Sequence, residues 1–496
     1  MFAHLKSLLL ENRGTKQTVV KNVFWVGASQ MAGRFIRAFF VIYAARMLGA
    51  ENYGVFSYAL GLAAFFTVFG DLGIGPVVTR EIAKKIPNEN SYFGTAFIVK
   101  IVLSFLAAAL LMFATPFFSN VPQANTLLLL AALLIIADNL REFCTSFFRA
   151  KERMEFEALS MIITNVAITA GGLAVLFYFP SLERLMGMYT AGSAIGMIIS
   201  LVLVKKPLLD GIRKFDISLL RPMLLAAIPF SLTGILGGLL LNTDTIVLGW
   251  MQTAKEIGLY SAGQKIVYIL YILPAILVSG LFPPMARYVA QNNHEGARAI
   301  LKKGTTILMG VALPIAAGGL ILAEPIMHFL FGGEYLAGTL SFQILVATVL
   351  SVFPTTLYGS FLFAGNKQNT MALLSAIMVV GNFVLDIIFI RKWGFVGSSV
   401  ATLIMQLIYW TLVVRLVKRQ TPFPVFTELK NVAIATAGMS ILTVLLLQLQ
   451  FPLLVIIGIG CLIYIGILYK LKEPTLHEIF SILQKTRGKT ETLESA

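Results

Sequence analysis

The sequence predicts an all-α polytopic membrane protein of about 14 transmembrane helices. These form two parallel six-helix repeats followed by two extra C-terminal helices. Three observations predict it: an apolar composition, a one-sided distribution of basic residues, and an internal repeat.

Of the 496 residues, 57% are hydrophobic and 13% charged, with a mean hydropathy of +0.83. A soluble domain carries about 25% charged residues, so this chain lacks the polar surface to cover a globule in water. Each crossing of a ~30 Å hydrocarbon core takes ~20 residues. Helices are required because lipid offers no partner to open backbone amides. The long unbroken apolar runs are unlike the alternating ~10-residue strands of a membrane barrel.

The predicted spans are 23–46, 54–78, 92–115, 124–148, 157–179, 183–204, 220–244, 258–282, 300–323, 337–363, 370–390, 395–416, 429–449 and 451–469. The second ends in the glycine-rich "FGDLGIG", the seventh in "LLLNTDTIVLGW", and the last two part only around Gln450. Charges between the spans support this order. With the N-terminus inside, the inner loops hold Lys6, Arg13, Lys16 and Lys21, then Arg80, Lys84 and Lys85, then Arg149, Lys151 and Arg153. Further basic clusters follow at 205–221, 287–303 and 415–430, with Lys367 between them and a basic tail from Lys470. The outer loops hold only Arg46, Arg184, Lys255, Arg391 and Lys392. By the positive-inside rule both termini are cytoplasmic, in a multi-pass protein of the cell (inner) membrane. The same rule accounts for the net charge of +15 without invoking nucleic acid.

The opening "MFAHLKSLLLENRG" is too short in apolar core for a removable signal and reads as an amphipathic segment on the inner surface. In "TLHEIFSILQK", Leu476, Ile479, Phe480 and Leu483 share one helical face, fitting either a surface-lying helix or a solvated tail.

A shift of 204 residues aligns "MLGAENYGVFS" from Met47 with "MQTAKEIGLYS" from Met251, matching Met47/Met251, Ala50/Ala254, Gly54/Gly258 and Ser57/Ser261. "TREIA" around Arg80 resembles "ARYVA" around Arg287, and "SFFRAKERMEFEAL" from Ser146 resembles "SFLFAGNKQNTMAL" from Ser360. The expected organisation is an N-terminal lobe at 1–204, a cytoplasmic linker at 205–218, a C-terminal lobe at 219–418, two further helices at 419–470 and a cytoplasmic tail at 471–496. Parallel repeats of this kind suit alternating access, with the substrate path between the lobes.

A charge inside the bilayer costs roughly 2.5–3.5 kcal/mol on insertion scales and needs a compensating role. Gln30, Arg34 and Arg37 lie at i, i+4 and i+7 on one face of helix 1, opposite Phe, Ile and Val. They are the candidate substrate-binding residues. The alternative is that the arginines pair with carboxylates of helix 2 or 4. Lys265, in helix 8, is a candidate cation from the second lobe, and Lys100 lies in helix 3. Asp71, Asp138, Arg141 and Asp244 are candidate gate or coupling residues. Asp71, Asp138, Arg141 and Glu142 also fit internal pairing at inner helix ends, while Asp244 and Asp386 are placed to reach the interface at outer ends. Cations exceed anions near the membrane middle, which suits an anionic headgroup such as a diphosphate.

No P-loop, G-x-S-x-G, H-E-x-x-H or C-x-x-C occurs, and Cys144, Cys461 and the four histidines are scattered. No metal or cofactor is expected. No predicted outer loop exceeds about 15 residues, which argues against a membrane glycan polymerase or another enzyme. Gly192/Gly196 and Gly234/Gly238 are expected helix-packing contacts.

The run Tyr43–Lys85 carries Ala45, Arg46, Leu48, Gly49, Tyr53, Gly54, Phe56, Ser57, then Asp71, Leu72, Gly73, Arg80 and Ala83. This pattern resembles the opening of the polysaccharide transporter family, the Wzx-type oligosaccharide flippases. The resemblance implies the MATE-like superfamily that also holds the MATE exporters and lipid II flippases. It implies movement of a polyprenyl-diphosphate-linked oligosaccharide from the inner to the outer leaflet. A cationic central cavity is implied too, with Arg34 and Arg37 as its helix-1 matches. Its partners would be the lipid-linked oligosaccharide and membrane lipids, with glycan-assembly proteins as candidates. The second transporter reading is an ion-coupled exporter of small amphiphiles, for which acidic residues would be expected mid-cavity.

Overall fold

The break between the first two predicted spans is a single glycine. In the computed structural model, which describes residues 15–425 and 429–473, α1 runs Thr15–Asp71 with Gly49 as its one non-helical residue (φ 75°, ψ 169°). That φ favours glycine, and it splits the 57-residue helix into two spanning segments. The chain then turns through Leu72 and Gly73, both at positive φ. The Asp71 carboxylate accepts from Gly73 N (3.2 Å) and Gly75 N (3.4 Å), capping α2 (Ile74–Ala83).

The first unit continues through α3 (Glu89–Phe118), α4 (Leu128–Ala150), α5 (Met154–Tyr178), α6 (Leu182–Leu203), the short α7 (Lys205–Arg213) and α8 (Leu220–Met251). α9 (Ala254–Leu270) follows, and the two compact units divide within it, between Ser261 and Ala262. The second unit holds α10 (Ile272–Ala290), α11 (His294–Ile321), α12 (Ala323–Phe331), α13 (Thr339–Ala347) and α14 (Val349–Ala364). It ends with α15 (Gln368–Trp393), α16 (Phe395–Gln420), α17 (Lys430–Gln448) and α18 (Leu453–Lys470). No strand occurs among the described residues.

Twelve segments among the described residues are long and apolar enough to cross a membrane. The first, Phe24–Asp71, counts once although Gly49 divides it. α4 falls outside the twelve, and the charges Asp138, Arg141, Glu142 and Arg149 along it explain why. The expected fourteen is therefore approximate. The outward surface is that of a membrane protein: Phe113, Phe117 and Leu462 are more than 70% exposed, a cost in water but not in lipid.

The repeat-related residues meet in the structure. A Cβ on Gly54 would lie 1.7 Å from Ala254 O, and one on Gly258 would lie 1.9 Å from Ala50 O. The two A-x-x-x-G turns thus pack backbone against backbone, reciprocally, inside the first unit. The other predicted small-residue contacts are packing positions as well. Gly192 and Gly196 of α6 lie against Ile168 and Thr164 of α5, and Gly238 of α8 against Val68 of α1.

Three placements differ from expectation. Lys21, assigned to an inner loop, is 2% exposed and pairs with Glu155 at 3.0 Å. Asp244 and Asp386 do not reach an interface. Asp244 is buried and accepts a hydrogen bond from the Tyr260 hydroxyl, and Asp386 is fully buried and accepts from Asn382 Nδ2 at 3.0 Å. Apolar periodicity marks a helix face, but not how far the helix rotates into its neighbours. The amphipathic readings at 1–14 and 475–485 lie outside the described residues.

Candidate functional site

Three helices of the first unit line an open polar cavity of about 320 Å3. α1 supplies Gln30, Gly33, Arg34 and Arg37, at i, i+3, i+4 and i+7. α4 supplies Arg141, Glu142, Thr145 and Arg149. α5 supplies Glu157, Met161, Thr164 and Asn165, again one helical face.

The α4–α5 turn sets much of the geometry. Lys151 N bonds Phe147 O at 3.0 Å and Arg153 N bonds Phe148 O at 2.9 Å, with Glu152 at φ 55°. This tight reversal folds α5 back on α4, so residues eight apart face each other. Arg149 Nη2 reaches Glu157 Oε1 at 2.6 Å, and its Nε donates to the same carboxylate at 3.1 and 3.0 Å. Arg149 Nη2 also pairs with Glu142 Oε1 at 3.0 Å.

The α1 arginines are held differently. Arg37 Nη2 donates to Asn165 Oδ1 at 3.0 Å, and Asn165 Nδ2 donates to Met161 O at 2.8 Å, fixing the amide. Gly33 makes this approach feasible, because a Cβ there would lie 2.7 Å from Asn165 Nδ2. The Arg37 guanidinium carbon also stands 6.0 Å from the Tyr189 ring centroid. Arg34 is exposed to the cavity and has no hydrogen-bond or ion-pair partner among the described residues. Arg141 Nε stands 3.5 Å from Asp138 Oδ1 and makes no hydrogen bond.

The lining therefore has four arginines and two glutamates, and both glutamates are engaged by Arg149. Arg34, Arg37 and Arg141 are unanswered by any lining carboxylate. Guanidinium forks match carboxylate and phosphate oxygens in two-point geometry. Gln30, Thr145 and Thr164 add neutral groups able to hydrogen-bond hydroxyls. Among the described residues, no cluster of His, Cys, Asp or Glu could hold a metal ion.

Of the residues picked out by sequence, Gln30, Arg34, Arg37, Arg141 and Glu142 line this one cavity. Asp138 stands beside it as the partner of Arg141. Asp71 is 2.5 Å from the buried Lys100 Nζ and caps α2. Asp244 lies with Tyr260, and Lys265 is an exposed residue of α9 in the second unit. Sequence reasoning missed Arg149, read as a loop charge, and Glu157 and Asn165. The spacing Glu157, Met161, Thr164, Asn165 is the signal that could have found the α5 face, by the same test applied to α1.

Comparison with known proteins fits this architecture. The model of a family described as polysaccharide biosynthesis protein matches residues 19–289, more than half of the chain, and the MatE family model matches residues 229–389. A probable low-salt glycan biosynthesis flippase of Haloferax volcanii, Agl15, is 24% identical over 399 residues, covering 79% of this chain and 80% of that protein. Among solved structures, the lipid II flippase MurJ in an inward closed conformation superposes with a TM-score of 0.73 at 16% identity, over 90% of this chain and 98% of its own. An inward-facing multidrug resistance MATE transporter superposes with a TM-score of 0.59 at 12% identity, over 80% of this chain and 98% of its own. The helices thus follow the MurJ and MATE transporter fold.

Proposed function

Because the chain belongs to the polysaccharide biosynthesis protein family, we propose that it is a flippase rather than an enzyme, carrying a polyprenyl-diphosphate-linked oligosaccharide from the inner to the outer leaflet. The relative named as a glycan flippase and the fold shared with MurJ support this reading. The observation that carries it is the cavity itself: Arg34 and Arg37 of α1 line it with no carboxylate partner, beside Arg141 of α4, whose one carboxylate, Asp138, lies outside the lining. A diphosphate would supply the missing anion, held by charge-assisted hydrogen bonds. The neutral groups around it suit the hydroxyls of the first sugar. A cavity of about 320 Å3 cannot enclose a whole oligosaccharide, so the rest of the glycan and the lipid tail would extend beyond it.

In this reading the protein works in the cell membrane with both termini cytoplasmic. The six-helix repeats, lobes 1–204 and 219–418, alternate access. Glycan-assembly proteins would deliver or receive the substrate. The MatE match over residues 229–389 favours a second reading, export of a small amphiphile. The surplus of arginine over carboxylate in the cavity favours the anionic headgroup. The test reconstitutes the full chain in liposomes and follows the appearance of a fluorescent polyprenyl-diphosphate oligosaccharide in the opposite leaflet. Protein-dependent movement supports the proposal. No movement, together with transport of a cationic dye, would transfer support to the exporter.

A further inference from the structure

Arg149 differs from the other three arginines of the cavity. Its guanidinium faces two carboxylates at once, the Glu157 fork from α5 and Glu142 from its own helix. A structural strut between α4 and α5 needs only Glu157. Glu142 is 46% exposed and Arg149 39%, so burial does not demand a second anion there. Both carboxylates also line the cavity in which Arg34 and Arg37 have no carboxylate partner and Arg141 has only Asp138, and both repel an anion there.

A transport site must bind its cargo well enough to capture it and weakly enough to let it go. With Arg149 freed as well, four guanidiniums would face a diphosphate, only Arg141 of them tempered by a neighbouring carboxylate, Asp138, and capture would be favoured over release.

We propose that Glu142 and Glu157 are affinity-limiting counter-ions. They keep the Arg149 guanidinium engaged at the cavity wall, so that a headgroup seated on Arg34, Arg37 and Arg141 can leave again. This inference rests on the anion-cavity reading above and extends it by giving specific residues the task of release.

The test titrates full-length protein in detergent with inorganic pyrophosphate, and measures translocation in liposomes for the same variants. Glu142→Gln with Glu157→Gln frees Arg149. The expected result is pyrophosphate binding about tenfold tighter, the worth of one added charge-assisted hydrogen bond, together with slower translocation. Adding Arg149→Gln to that pair removes the gain. A merely structural role would weaken binding and translocation together. Unchanged or weaker binding by a folded double variant overturns the inference. If the double variant does not fold, Glu142→Gln alone must bind more tightly by a smaller factor, and no gain there overturns it equally. A wild-type chain that does not bind pyrophosphate overturns the anion-cavity reading itself. A wild-type chain that binds it, with no gain in the variants, overturns only the counter-ion role.

Discussion

Arg37 of α1 donates through Nη2 to Asn165 Oδ1 of α5 at 3.0 Å, bridging 128 residues of sequence with a neutral partner. A carboxylate at 165 would have neutralised the arginine. An amide orients it and leaves its charge available to a ligand. Asn165→Leu removes the orienting acceptor, which for a charged donor is worth about 1.5–3 kcal/mol. Pyrophosphate affinity should then fall roughly tenfold or more by titration calorimetry. Asn165→Asp should weaken binding further, because it supplies the anion from within. If Asn165→Asp binds pyrophosphate as well as the wild type, Arg37 is not part of the anion site.

Gly54 and Gly258 are equivalent repeat positions, and each closes on the backbone of the other turn. Alanine at either position cannot be fitted without parting α1 from α9. Each single variant should therefore lose about 1–3 kcal/mol, the usual cost of overpacking, and by similar amounts, read as a lower unfolding temperature in detergent. Gly237→Ala is the control, since a Cβ there meets nothing within 4 Å. A Gly54→Ala variant as stable as that control would contradict the reciprocal contact.

Lys100 is fully buried with Asp71 2.5 Å away. Asp71→Asn keeps an oxygen able to cap α2 but leaves a buried ammonium without its anion, a loss of about 3–5 kcal/mol. Adding Lys100→Met removes the stranded charge and should recover much of that loss. The same pair decides between pairing and coupling. A double variant that is stable and translocates at the wild-type rate makes the pair structural. One that is stable but inactive makes Asp71 part of the transport cycle.

The legible parts of this chain were those written in local periodicity. Gln30, Arg34 and Arg37 share a face because their spacing matches the helical turn, and they line one cavity. The weak A-x-x-x-G repeat was legible as similarity, and its two copies touch. What depends on a chain reversal was not legible. Arg149 read as a loop charge because nothing local shows that the turn at 151–153 places it on Glu157. Lys21 was missed for the same reason, its partner Glu155 lying 134 residues away. Asp244 and Asp386 were misplaced because a residue's position along a helix does not tell which neighbours cover it.

In the proposed function, α1 presents its arginines to an anionic headgroup. The most direct test compares wild type with Arg34→Ala plus Arg37→Ala for translocation of a labelled polyprenyl-diphosphate oligosaccharide in liposomes. Protein amount and unfolding temperature are matched between the two. The expected result is a loss of at least about a hundredfold, two charge-assisted hydrogen bonds at roughly 1.5–3 kcal/mol each. A double variant that moves the substrate at the wild-type rate would contradict it.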